Sequence, residues 1–282
     1  DRASARRWLA SRNWDDAASF KAARLCLEWR TRAKPHLIRC EDIPTALEMA
    51  GSYFAGHARD GRLVVVTRAA KFFPARVSME EHMLSIYHMM EHAIAAMGPG
   101  AEQMINIMDM SGMQMANHDT AKSNRAMEIH RNYYPERLSF AVICNVPGFF
   151  RLIWGGMKRM LDPGVVARTH VLKLEAAQNL LRKHIAPEVL EVAYGGTRTE
   201  PYPTHFDEWR AEQRRERFGA AGIRTTCGVV WSGRGVRGGR AIAPSSVASG
   251  RARCLGAVRA LFGGRECWGR RDRRRNRRQW RR

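Results

Sequence analysis

No apolar run in the chain reaches the ~18–20 residues that a bilayer-spanning helix needs. No secretory h-region opens it either. The six cysteines, Cys26, Cys40, Cys144, Cys227, Cys254 and Cys267, form no CxxC pair. That weakens zinc and redox readings and fits reduced thiols in the cytoplasm. GxSxG, GxxxxGK[ST] and GxGxxG are all missing, so hydrolase-elbow, P-loop and dinucleotide-binding chemistry lack their signatures. His88 and His92 stand four apart with His82 one face away. No HExxH or acidic third ligand accompanies them, so they read as ordinary helix histidines rather than a metal site. Lysine is absent from the last 64 residues, which hold 17 Arg and only two acids, Glu266 and Asp272. That stretch carries +15 of the net +21. The rest of the chain is only mildly basic.

With 282 residues and 45% hydrophobic content, the chain has material for one sizeable domain plus appendages. Residues 6–30 read as helix, with acids following Trp14 in a first turn. Val64–Thr67 reads as a strand after the Asp60-Gly61 turn signal. Glu80–Met97 has apolar residues at helical spacing and stops at Gly98-Pro99-Gly100. Met104–Met108 is a buried-type strand, Asp119–Tyr133 a helix and Ser139–Val146 the most apolar strand. Pro147 suits the first turn of a helix that runs to Leu161, ended by Asp162-Pro163. Thr169–Leu174 predicts a fourth strand, and Glu175–His184 a short helix. Strands alternating with helices of this length predict an α/β fold with a largely parallel sheet and crossover helices. Right-handed crossovers place those helices on one or both faces.

Beyond Arg217 the apolar periodicity disappears, and 12 of the last 64 residues are glycine. Such a segment buries too little apolar surface to offset its chain entropy and reads as disordered. Its Arg-only basicity fits two origins. It is either a phosphate-binding tail, through Arg234–Arg240 and Arg270–Arg282, or an out-of-frame reading of GC-rich coding sequence.

One connected signature stands out: Tyr133-Tyr134-Pro135-Glu136-Arg137-Leu138, then Leu161-Asp162-Pro163, then Tyr194-Gly195-Gly196-Thr197. Between the first two lies an amphipathic stretch with Phe149, Phe150 and Trp154. This order and spacing resembles the CRAL-TRIO family of lipid-binding and lipid-transfer proteins. The resemblance extends to Arg7-Trp8-Leu9, Asn13-Trp14-Asp15 and Trp29-Arg30, and to Asp60-Gly61-Arg62 and Ile107–Gly112. It covers roughly residues 6–210.

The resemblance implies a mostly parallel sheet flooring an apolar lipid cavity closed by a gate helix. It implies three segments: a partial N-terminal helical module (1–32), the lipid-binding domain (33–210) and the basic tail (211–282). It implies the Pro147–Leu161 helix as the gate, with Phe149, Phe150, Ile153, Trp154, Met157 and Leu161 as its apolar stripe and Arg151, Lys158 and Arg159 beside it. Read from the residues alone, the same helix is an ordinary crossover packed on the sheet. The methionines of the Glu80–Met97 helix and of Met104–Met115 suit either an adaptable cavity or a core filled by flexible side chains.

For the headgroup, the resemblance implies Glu136 and Arg168 at inositol-phosphate positions, with Arg12 as a third, basic contact. Asn13 replaces a lysine of the family's pattern. Asn106 and Met104 stand where hydroxyl residues serve phosphatidylcholine. Asn106 retains hydrogen-bonding capacity, whereas Met104 extends apolar contact. Glu136 and Arg168 equally fit a structural ion pair. Asp109, at the end of a strand, reads as structural. The implied ligand is one phospholipid, with phosphatidylinositol best supported. No catalytic residue and no cofactor besides the lipid are implied. The implied setting is a cytoplasmic monomer that visits membrane surfaces. The alternatives are an interaction module that recruits a signalling or trafficking partner without lipid transfer, and nucleic-acid binding through the tail.

Overall fold

The computed structural model describes residues 1–203 and 207, save 50, 99, 160 and 201. The basic tail, with Cys227, Cys254 and Cys267, lies outside the described residues. The chain opens with helices α1 (Arg2–Ala10), α2 (Asp16–Ala33) and α3 (Pro44–Glu48). A hairpin, β1 (Ser52–His57) and β2 (Leu63–Arg68), leads to α4 (Met79–Ala96), β3 (Met104–Asp109), α5 (Thr120–Tyr133) and β4 (Leu138–Cys144). The series ends with α6 (Phe150–Lys158), α7 (Pro163–Ala167), β5 (Thr169–Val171) and α8 (Leu174–His184).

The single helix expected over 6–30 is two. Asn13 and Trp14 adopt positive φ, 53° and 63°, and Trp14 N–H turns back to the carbonyl of Leu9 at 2.8 Å. Asparagine tolerates this left-handed region well, and such a residue ends helices. Asp15 then caps α2, its carboxylate accepting from Ala18 N–H at 2.8 Å. Ser78 and Asp119 cap α4 and α5 in the same way.

The five strands lie in sequence order, β1 antiparallel to β2 and the rest parallel. Strands added in one direction through right-handed crossovers put their connecting helices on one face. α4, α5 and α6 accordingly pack on the same face. Toward its lower end Leu63, Val65 and Met104 meet Trp29 and Cys26 of α2, Tyr87 and Met90 of α4, and Ile129 of α5. Toward its upper end Ile143 and Met108 meet Phe150, Phe149 and Trp154. α8 covers the opposite face, where Ala177, Leu181 and Ile185 pack on Val64, Val66, Ile105, Ile107 and Val142. With both faces covered, the central strands read as continuous apolar runs rather than alternating ones.

β1 has no counterpart in the sequence reading, which took Asp60-Gly61 as a turn before one strand. It is the turn of a hairpin: Ala58 N–H bonds to the carbonyl of Arg62 at 2.8 Å, and Gly61 takes φ 82°. A register shift between Phe54 and His57 breaks the strand's alternation. The segment expected as a helix from Pro147 to Leu161 also differs. Pro147 opens a turn closed by Phe150 N–H at 3.0 Å, so the helix begins three residues later than expected. α7, a one-turn helix with Pro163 at its start, fills what read as plain connection. The fourth predicted strand is trimmed to Thr169–Val171.

Candidate functional site

The loop between α5 and β4 carries Glu136 at φ 56°. A non-glycine residue there costs of order 1 kcal/mol or more and marks a position held by its surroundings. What holds it is Arg168, at the end of α7. Arg168 Nη1 lies 3.0 Å from Glu136 Oε2, and Nη2 lies 3.3 Å from Oε1. The same guanidinium donates to the carbonyls of Leu138 (2.8 Å) and Gly164 (3.0 Å). The two side chains are 25% and 28% exposed. The structure therefore brings together the two residues paired by the motif, as a forked, partly shielded ion pair.

Arg12 is elsewhere. Its guanidinium lies over the Trp8 ring at 5.9 Å and donates to the Ser11 carbonyl at 2.9 Å. No described contact carries it to Glu136 or Arg168. The N-terminal helices reach the Glu136 segment instead through contacts that no motif pairs, two of them centred on Glu91 and Glu102. Arg30 forks onto Glu91 at 2.7 and 2.8 Å, and Tyr134 O–H donates to the same carboxylate at 2.9 Å. Trp29 stacks on Tyr133 with ring centroids 3.9 Å apart. Arg7 and Arg137 both meet Glu102.

Asn106 lies on the face of β3 that α4, α5 and α6 cover, between Val65 and Ala141 in register. Met104 below it belongs to the lower apolar cluster and Met108 above it to the upper one. Its Oδ1 is out of water with no hydrogen-bond partner. An orphaned buried acceptor costs roughly 1–3 kcal/mol, and its place between two apolar clusters suits a polar group on a ligand.

α6 shows its two sides plainly. Phe150 is 3% exposed, packed against Met110, Met113 and Ile143, and stacks on Trp154 at 6.2 Å. Phe149, Ile153, Trp154, Met157 and Leu161 are half-buried. Phe149, at the N-cap, packs at the edge of the same cluster. Leu152 takes the outward position at 83% exposure. Gly155 and Gly156 are exposed, and beyond the adjoining helix backbone nothing lies within 4 Å of where their Cβ atoms would stand. Each weakens the helix by about 1 kcal/mol with no packing need for its smallness.

Between α6 and the β5–α8 junction opens a cleft of about 500 Å³. Its walls are Val146, Phe150, Trp154, Val171, Leu172 and Leu174, with Asn145 and Lys173 as its polar margin. Asn145, at φ 53°, stands just before the Pro147 turn. Its amide donates to Asp109 Oδ1 at 2.9 Å, and Tyr194 O–H donates to Oδ2 at 3.0 Å. Asp109 is thus a structural tie. The Tyr194-Gly195-Gly196 motif closes over α8: Gly195 takes φ 90°, and a Cβ on Gly196 would fall 2.0 Å from the carbonyl oxygen of Leu190. Burial pushes the Tyr194 phenol up to about 12.

Among the described residues no His, Cys, Asp or Glu group is arranged to hold a metal ion, and no helix is long and apolar enough to cross a membrane.

The chain is 25% identical to patellin-6 of Arabidopsis thaliana over 203 residues, which covers 67% of this chain and 49% of that one. It is 23% identical to the SEC14 cytosolic factor of Yarrowia lipolytica over 235 residues, 76% and 47% of the two chains. It is 26% identical to the phosphatidylinositol/phosphatidylcholine transfer protein SFH7 of Arabidopsis thaliana over 209 residues, 67% and 38%. The chain thus spans about half the length, or less, of these relatives. Among solved structures, Sfh5 superposes with a TM-score of 0.56 at 14% identity, covering 77% of this chain and 83% of that one; this likeness concerns the fold. The profile of the CRAL/TRIO domain matches residues 47–196, more than half of the chain. From the hairpin through the Tyr194-Gly195-Gly196 closure, the chain belongs to the CRAL/TRIO domain family.

Proposed function

We propose that the chain holds one phospholipid, with phosphatidylinositol the favoured headgroup, between α6 and the sheet face on which it packs. It exchanges or presents that lipid at membrane surfaces on the cytoplasmic side. The observation that carries this reading is α6 itself. One side buries Phe150 over the upper apolar cluster, and the other offers Leu152 to solvent at 83% exposure. An ordinary crossover helix has little use for an outward leucine and two unpacked glycines. A helix that swings out onto a bilayer uses both.

The energetic argument is simple. A diacyl lipid has roughly thirty CH₂ groups, each worth ~0.8 kcal/mol when kept from water. A carrier must enclose that surface and still release it. The cleft beside α6 lies within the ~300–1,000 Å³ of small-molecule sites, and outward movement of α6 would enlarge it. The Glu136–Arg168 fork lies in the family's headgroup motif, and Asn106 offers its unpartnered oxygen within the apolar enclosure. Two of the relatives are named as transfer proteins for phosphatidylinositol and phosphatidylcholine or as a SEC14 factor, which supports the same reading. No covalent step is involved.

Transfer of labelled phosphatidylinositol from donor to acceptor vesicles tests the proposal. Transfer that rises with protein concentration supports it. Membrane recruitment without transfer points instead to a recruiting module.

A further inference from the structure

Arg7 and Arg137 take no part in the lipid site proposed above. Arg7 lies in the last turn of α1, and Arg137 lies in the loop between α5 and β4. Their side chains are each only 15% exposed, and they converge on one carboxylate, Glu102, which is 42% exposed. Arg7 contacts Glu102 Oε2 directly. Arg137 Nη1 stands 3.5 Å from the same oxygen.

Each guanidinium has an anchor apart from that carboxylate. Arg7 Nη2 donates to Ser4 Oγ at 2.7 Å, and Arg137 Nη1 donates to the Glu102 backbone carbonyl at 3.0 Å. Moving the Glu102 side chain would release neither. Glu91, whose charge reaches Arg137, is already forked onto Arg30 and holds the Tyr134 hydroxyl. Two cations therefore share one acid, and a positive charge is left largely out of water. Burial, and then the charge of Arg137, hold Arg7 down to about 10.

Two fixed guanidiniums suit an anion with more charge and more acceptor oxygens than a carboxylate. We infer that Arg7 and Arg137 form a binding site for a phosphomonoester, occupied in this structure by Glu102 as an internal carboxylate plug. A phosphomonoester carries about −1.5 to −2 charges and three acceptor oxygens near neutral pH. The most exposed member of the trio, Glu102, is the one that moves. The ligand is either a soluble phosphomonoester or one carried by a lipid headgroup. Because Arg137 is next to Glu136, occupancy would couple the α1–α2 helices to the headgroup segment.

The test uses the full chain at fixed ionic strength. Binding of glycerol phosphate is measured by calorimetry. Flotation is measured on phosphatidylcholine vesicles doped with phosphatidic acid, against vesicles of equal charge doped with phosphatidylserine. Glu102→Gln should tighten phosphomonoester binding about tenfold, and Arg7→Gln and Arg137→Gln should each weaken it about tenfold or more, as expected for charge-assisted hydrogen bonds. Any contribution of the basic tail is common to all variants. Binding of glycerol phosphate identifies a soluble source, and preference for phosphatidic acid vesicles alone identifies a lipid source. Should Arg7→Gln unfold α1, the gain in Glu102→Gln still decides. The inference is overturned if Glu102→Gln gains nothing in both assays, or if neither arginine variant loses binding. It is also overturned if Arg168→Ala alone abolishes binding, which would place the anion at the headgroup fork and leave the lipid proposal standing.

Discussion

Asn145 donates its side-chain amide to Asp109 across 2.9 Å, and so ties the residue before the α6 hinge to the end of β3. The other oxygen of Asp109 holds the Tyr194 hydroxyl at 3.0 Å. One carboxylate thus joins the sheet, the turn before α6 and the Tyr194-Gly195-Gly196 motif. Asp109→Ala strands three donors, Asn145, Tyr194 and the exposed Ser111 N–H, and should cost about 2–3 kcal/mol, while Tyr194→Phe should cost about 1. Denaturant melts of the two variants check the order. Equal small losses would mean that the tie carries little energy.

The two sides of α6 should separate cleanly in mutants. Phe150→Ala opens the upper cluster and should destabilise the fold by ~3–5 kcal/mol. Leu152→Ser should change stability by less than about 0.5 kcal/mol. It should nevertheless weaken binding to anionic vesicles roughly tenfold, the worth of one leucine buried in the interface. Trp154, half-buried and 5.6 Å from the Lys158 ammonium, should change its fluorescence when such vesicles are added, and less at high salt.

Gly155 and Gly156 give a test in the opposite direction. Alanine fits both places without contact, so each change should stabilise by about 0.5–1 kcal/mol. If α6 bends or frays as it opens, the double variant should transfer lipid more slowly although it is more stable. Unaltered transfer would mean that α6 moves as a rigid piece.

Arg168→Ala should abolish phosphatidylinositol transfer and cost only about 1–2 kcal/mol, since the pair is a quarter exposed and such bonds contribute modestly. Arg168→Lys should recover charge but not the fork and fall between. Full transfer by Arg168→Ala, or loss of the fold, would make Glu136–Arg168 a structural pair only.

The sequence carried the parallel series from Val64 to His184 through local signals: the Asp60-Gly61 turn, the helical spacing of Glu80–Met97 and its Gly98–Gly100 stop, the apolar run of Ser139–Val146, and Asp162-Pro163. It also paired Glu136 with Arg168 through a motif. What it did not carry was long-range. β1 is recognisable only by its partner β2, because its own alternation is broken near Gly56. Arg7 stands in the Arg7-Trp8-Leu9 segment of the resemblance, but Glu102 carries no periodic or motif signal, and only folding brings the two together across 95 positions. Leu152 was open to a helical-wheel argument, which the run of aromatics beside it obscured. The break at Asn13 was legible as a helix stop, since asparagine commonly ends helices in the left-handed region.

Alkaline unfolding follows from the buried phenols. Tyr87 and Tyr194 are each pushed up to about 12, chiefly by burial, and burial raises Tyr53 and Tyr134 further. Unfolded tyrosines ionise near ~10, so the unfolded chain loses its protons first. Stability should be intact below about pH 10 and fall as the pH climbs toward 12. Ultraviolet titration should show phenolate appearing together with loss of tertiary signal. Phenolate forming at its ordinary pH in a folded chain would contradict the burial.

The most direct test is the ligand itself. Chain purified from a eukaryotic host, freed of adsorbed lipid at high salt and extracted into organic solvent, is assayed by mass spectrometry. The account predicts one phospholipid per chain, enriched in phosphatidylinositol over the host's bulk lipids and reduced in Arg168→Ala. Protein that is folded yet yields no lipid, before and after incubation with phosphatidylinositol vesicles, would contradict it.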